Sequence, residues 1–248
     1  MKKNTKLFFM ILLVGLFSTA NTAEKKHHDH VKAHHSHIKE VNAFLKKVFE
    51  DNHDHVKMIS HEDFKNFAEQ QTPRATIVSC SDSRVQTTAF HSSPVNDLFV
   101  VRNIGNQVIT TEGSVQYGID HLHTPVLMII GHSNCGAVKA ALDNYSKEDH
   151  SIRKELDHLR FSKGTNVNTG VIENVHRQVS YAMENFKQKV ANKKLVIIGV
   201  VYDFRDDFHH GHGRLILINL NGEKNIDRIK HSEYLKNIKN VSIGEFIE

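Results

Sequence analysis

The chain has 248 residues, 39% hydrophobic and 24% charged, enough for one sizeable α/β domain and too apolar for wholesale disorder. Two cysteines exclude a disulfide-stapled scaffold, and three prolines with no tryptophan exclude a proline-rich linker protein. The formal charge of +4 falls if residues 1–20 are removed, because Lys2, Lys3 and Lys6 go and no acid does, leaving 29 Lys+Arg against 28 Asp+Glu, a net +1. A near-neutral mature chain has no electrostatic footprint for nucleic acid.

Residues 1–20 read as a secretory signal peptide. The three lysines precede an eleven-residue apolar run, Leu7 to Phe17, which has the length of a signal h-region and is short for a bilayer span. Ser18-Thr19-Ala20 supplies the small residues of a cleavage site, and Ala23 offers a second position. The mature protein is therefore expected in the periplasm or secreted, with no membrane attachment. Residues 21–37 form a polar tail with His27, His28, His30, His34, His35 and His37. His30, His34 and His37 would share a helix face. Such imidazoles can chelate metals, buffer protons or simply be solvated.

The folded domain is expected over 38–248. Ile38, Val41, Leu45, Val48 and Phe49 recur at helical spacing, and a second short helix is predicted over 61–70 before Pro73 breaks the chain. Apolar runs predict strands at 75–79, 97–101, 125–130, 195–199 and 214–219. Helical patterns lie at 111–122, from about Ala137, around 151–160 and at 172–190. Residues 143–170 read as a polar surface excursion, and Asn221-Gly222 as a turn. Strands alternating with helices predict a mainly parallel four-stranded sheet, extended by a C-terminal strand and preceded by a helical arm.

Polar clusters follow the first three strands, at the strand ends where open α/β sheets bind ligands. They hold Cys80, Asp82 and Arg84; then Arg102, Asn103 and Asn106; then His132 and Cys135. Two thiolates and an imidazole suit zinc, and three protein ligands leave a fourth position for chemistry. Spacing alone also admits two inert buried thiols, or a Cys80–Cys135 disulfide.

Cys80-Ser-Asp-Ser-Arg84, Arg102-Asn-Ile-Gly-Asn106 and Gly131-His-Ser-Asn-Cys-Gly-Ala-Val138 together resemble the β-class carbonic anhydrases, which share the Cys-x-Asp-x-Arg and His-x-x-Cys motifs in this order. The similarity continues through Glu173-Asn-Val175, Gln178-Val179 and Gly199 to Asp203. It implies one Zn²⁺ per chain, held by Cys80, His132 and Cys135, that activates water for reversible hydration of CO₂ to bicarbonate and a proton. Asp82 and Arg84 would form the catalytic dyad, with Arg84 holding the carboxylate away from the metal. Gln71, Phe99 and Tyr117 match positions that line the CO₂ pocket in plant-type relatives, partly from a second subunit.

The resemblance further implies a homodimer or tetramer in which the N-terminal helices wrap the partner. Members regulated by bicarbonate carry tryptophan three residues before the first cysteine, where this chain has Ile77. Two other readings remain from the sequence: hydrolysis of CS₂ or COS on the same zinc scaffold, and a non-enzymatic periplasmic zinc-binding protein that uses the histidine tail as a sponge.

Overall fold

The computed structural model describes residues 36–244. The signal-peptide expectation and nearly all of the histidine tail lie outside them. The chain divides into two compact units, up to Ala68 and from Glu69 onwards.

The first unit contains α1 (36–58) and α2 (His61–Ala68). α1 runs past the predicted end at 50. Ser60 separates the helices, and its Oγ accepts from the Asp63 N–H while the Asp63 carboxylate accepts from the Ser60 N–H, at 3.1 and 3.2 Å. This reciprocal cap stops one helix and starts the next. Ile38, Val41, Phe44, Leu45, Val48 and Phe49 of α1 are all exposed in the single chain. Among the described residues, no helix is long and apolar enough to cross a membrane.

The second unit is built on a sheet of order β2-β1-β3-β4-β5-β6, comprising β1 (Ala75–Cys80), β2 (Leu98–Asn103), β3 (Val126–His132), β4 (Val196–Asp203), β5 (Arg214–Leu220) and β6 (Ser242–Ile243). The first four strands in that order are parallel, β5 runs antiparallel to β4, and β6 pairs parallel with β5. The parallel core and the added strand match the expectation. β6, two residues long, has no readable alternation.

Side chains alternate across the pleat, and here both faces are buried. Val78, Ile129, Val201 and Ile216 join one core; their neighbours Ile77, Ile130, Val200 and Leu217 join the other. That is why these strands read as continuous apolar runs. The first core lies under α6 (Val167–Ala191), which presents Val171, Val175, Val179 and Ala182. A Cβ at Gly131 would sit 2.5 Å from Val175 Cγ2, and one at Gly199 would sit 2.8 Å from Val175 Cγ1. The two glycines thus let the helix seat directly on β3 and β4.

Three further helices differ from expectation in their bounds. α6 starts at Val167, five residues early, because the Asn166 side chain accepts from Thr169 N–H and caps it. The predicted helix at 111–122 is α3 (Glu112–Gln116) followed by a π-helical turn, Tyr117–His121. The polar excursion contains α5 (His150–Leu156), placed after α4 (Gly136–Leu142). A last short helix, α7 (Ile226–Lys230), follows the turn at Asn221-Gly222, whose φ values are 52° and 86°.

Candidate metal centre

The parallel register aligns the carboxyl ends of the strands. Cys80 closes β1 opposite Asn103 of β2, and His132 closes β3 opposite Tyr202 of β4. Asn134, at φ 50°, turns the chain so that Cys135 comes back beside His132 at the start of α4. The ligand atoms of Cys80, His132 and Cys135 lie within 4.8 Å of one another. All three residues are buried, at 4%, 0% and 1% exposure. Among the described residues this is the one such group of His, Cys, Asp or Glu; His209, His210 and His212, in the loop after β4, form none.

The donor set fits a soft-to-borderline cation. Both cysteines are free thiols, which removes the disulfide alternative. His132 Nδ1 is 3.0 Å from the Ser133 carbonyl, so Nδ1 carries the proton and Nε2 keeps a lone pair. That Nε2 is buried with no hydrogen-bond partner, an arrangement that is costly unless a metal takes it. The Cys135 thiol beside it, helped by His132 and the Gly105 N–H and opposed by burial, pulls the Cys80 thiol well below the ordinary thiol range. The same contact with Cys80, together with burial, pushes Cys135 well above the ordinary thiol range. The pair thus favours the thiolate at Cys80, the form that binds metal.

Asp82 lies against this group, its Oδ2 3.9 Å from His132 Nε2. Arg84 grips it in a fork: Nε donates to Oδ1 at 2.9 Å and Nη2 to Oδ2 at 2.7 Å, while the Arg84 N–H also donates to Oδ1. These bonds hold the carboxyl far below its usual range despite partial burial. Arg102, from β2, donates to the carbonyls of Cys80, at 3.1 and 2.8 Å, and of Asp82, at 2.9 Å. It ties down the backbone that carries both residues.

Phe204 has no counterpart in the sequence reading. It follows β4 directly, its ring stacks 5.9 Å from the His132 ring, and the Arg84 guanidinium lies over its face. The available signal was its position, one residue beyond the carboxyl end of a buried strand. Asp203, fully buried, accepts from the N–H groups of Arg205, Asp207 and Phe208 and shapes this loop.

The other predicted pocket residues do not join the metal cluster within one chain. Phe99 and Tyr117 pack together, centroids 5.8 Å apart, but Phe99 pairs with Thr76, four residues before Cys80, which is about 13 Å along the strand. Gln71 is exposed ahead of β1.

A family model described as carbonic anhydrase matches residues 75–208. Carbonic anhydrase 2 of Mycobacterium tuberculosis is 29% identical over 150 residues, spanning 55% of this chain and 72% of that protein. A carbonic anhydrase of Synechococcus elongatus is 32% identical over 174 residues, spanning 58% and 62%. In fold, the chain is similar to a tetrameric β-carbonic anhydrase from Sordaria macrospora (TM-score 0.61, 23% identity, 71% of this chain and 96% of that one). It is equally similar to the Coccomyxa β-carbonic anhydrase solved with acetazolamide (TM-score 0.61, 23% identity, 75% and 90%). With its two motifs meeting at one buried cluster, the chain belongs to the β-class carbonic anhydrase family.

Proposed function

We propose that this chain is a zinc carbonic anhydrase with one Zn²⁺ per chain on Cys80, His132 and Cys135, interconverting CO₂ and bicarbonate. The observation that carries the reading is the buried Cys80–His132–Cys135 group, with its partnerless Nε2, directly beside the Asp82–Arg84 fork. Zinc at such a site supplies a Lewis acid that makes water nucleophilic near neutral pH.

The chain's own residues supply orientation and dryness. Asp82 Oδ2 lies 3.9 Å from His132 Nε2 and receives one donor from Arg84, so this oxygen keeps a lone pair free, whereas Oδ1 is occupied by two Arg84 donors. Asp82 can therefore accept a hydrogen bond from the attacking water and turn the water oxygen's lone pair towards CO₂. Arg84 keeps the carboxylate from serving as a fourth ligand, and Arg102 holds the loop in register. Burial of all three ligands excludes bulk water and strengthens these interactions.

The matching relatives bear the name carbonic anhydrase, which favours CO₂ over CS₂ or COS. The zinc-sponge reading rested on residues 21–37, nearly all outside the described part. Export to the periplasm or medium remains proposed on the sequence of residues 1–20. We also propose a homodimer or tetramer. The exposed apolar positions of α1 supply surface for a second copy. The separation of Phe99 and Tyr117 from Cys80 suits them to a partner's CO₂ pocket.

The test is stopped-flow CO₂ hydration by zinc-loaded mature protein. Activity that disappears in Cys135→Ala together with the zinc is expected. A zinc-replete protein that hydrates CO₂ no faster than buffer, or that hydrolyses COS or CS₂ instead, overturns the assignment.

A further inference from the structure

We propose that Asn174 and Gln178, on the buried face of α6, are positioning residues for the Cys80 sulfur, acting through the Gly105 peptide that donates to it. The proposal rests on the zinc reading of Cys80 and extends it to residues that touch neither metal nor substrate.

Gly105 N–H lies 3.5 Å from Cys80 Sγ. The loop that aims it there is locally unfavourable: Gly105 and Asn106 adopt φ values of 82° and 47° in succession. Glycine tolerates that conformation and asparagine partly does. A Cβ on Gly105 would also meet Leu159 Cδ1 at 3.0 Å. Something outside the loop must hold it, and the amide pair does. Asn174 Nδ2 donates to the Gly105 carbonyl at 2.8 Å. Gln178 Oε1 accepts from the N–H groups of Val108, at 2.8 Å, and Ile109, at 3.5 Å. Gln178 Nε2 donates to Asn174 Oδ1 at 3.2 Å.

The two amides stand one helical turn apart and face the same way. They are 1% and 2% exposed, and each of their four polar atoms has a partner. Thus the residue whose N–H points at the sulfur has its carbonyl fixed by α6, and the loop beyond it is fixed at Val108. An N–H donor on a ligating sulfur lowers its basicity and sets the direction of its lone pairs, and groups of this kind typically change metal affinity about 10–100-fold. The segment Glu173-Asn-Val175 and Gln178-Val179, noted in the sequence without a role, acquires one.

The test replaces both amides at once by apolar side chains of similar shape, Asn174→Leu with Gln178→Met, in the full-length cobalt(II)-substituted protein. Thiolate-to-cobalt charge-transfer absorption is read on that form, and zinc transfer to a chromophoric chelator on the zinc-loaded form of the same variants. The expected result is a cooperative thermal melt, a charge-transfer band shifted to lower energy because the sulfur is more electron-rich, and zinc affinity reduced about 10–100-fold. If the double variant fails to fold, Gln178→Met alone is read the same way. A folded variant with unchanged band and affinity overturns the proposal and leaves the zinc reading intact. A wild-type protein without any thiolate charge-transfer band overturns both.

Discussion

The Arg84 guanidinium carbon lies 4.6 Å from the centre of the Phe204 ring, so the cation that holds Asp82 is itself seated on an aromatic face. The same ring lines the His132 imidazole at an interplanar angle of 25°. One side chain therefore supports both a metal ligand and the dyad. Phe204→Leu keeps an apolar wall but loses the ring quadrupole. A cation–π contact of this exposure is worth about 0.5–1 kcal/mol, so kcat/KM for hydration should fall about 2–5-fold with zinc content unchanged. An unaltered kcat/KM in stopped-flow measurements refutes the role.

Removing Arg84 itself has a larger consequence. Its fork engages both oxygens of Asp82, whose Oδ2 is already 3.9 Å from His132 Nε2. In Arg84→Ala the carboxylate loses its competing cation and turns to the metal, the largest local charge. Zinc should stay bound while hydration falls about 10²–10⁴-fold, the usual worth of a positioned proton-handling group. Arg84→Lys should recover part of the loss, since a point charge cannot span both oxygens. Wild-type rates in Arg84→Ala at alkaline pH, with zinc quantified on the same sample, would sink the dyad mechanism.

The centre of the sheet was legible because its inner strands are buried on both faces. Val-Leu-Met-Ile-Ile of β3 and Leu-Val-Ile-Ile-Gly around β4 carry enough apolar residues to identify themselves. The start of α6 was not legible, because Asn166 caps it from within a polar stretch and hides its first turn among loop-like residues. At the site, the ligand identities could be read from the two motifs, but spacing left a disulfide open. What decides against it is three-dimensional: free thiols, and a buried imidazole nitrogen with nothing to bond. Phe204 and the Asn174–Gln178 pair were illegible for the same reason. Their roles depend on β4 ending beside β3, and on α6 lying against the loop after β2, which no local pattern encodes.

Zinc removal should cost stability as well as activity, since the ligand group offers two buried thiols and an unpaired nitrogen. Zinc at 100 times its Kd adds about 2.7 kcal/mol to the folded state, which for a chain of this size corresponds to about 5–10 °C in Tm. Chelated protein should melt lower by that amount and recover with one equivalent of zinc. Cys135→Ala should melt at the same temperature with and without zinc. A zinc-dependent Tm in that variant would place the metal elsewhere.

His176 gives the fold a pH dependence separate from the metal. It lies on α6, with its Nδ1 3.0 Å from Asn219 Nδ2; the amide N–H donates, so this nitrogen must be unprotonated. Burial first, and then the nearby positive charge of Lys224, push its pKa from 6.5 down to about 4. Between those values the unfolded chain binds a proton that the folded chain refuses. The contribution to stability is complete above pH 6.5 and is lost as pH falls towards 4, with a slope approaching about 1.4 kcal/mol per pH unit. His176→Asn offers Asn219 an acceptor that does not titrate, so its stability should decline less steeply. Urea unfolding of both proteins at about pH 7, 5.5 and 4.5 reads the difference. Acid loss of zinc is common to both and cancels in that difference. The gap between the two curves should close or reverse in favour of the variant as pH falls, and parallel curves would show that His176 is not protonated on unfolding in this range.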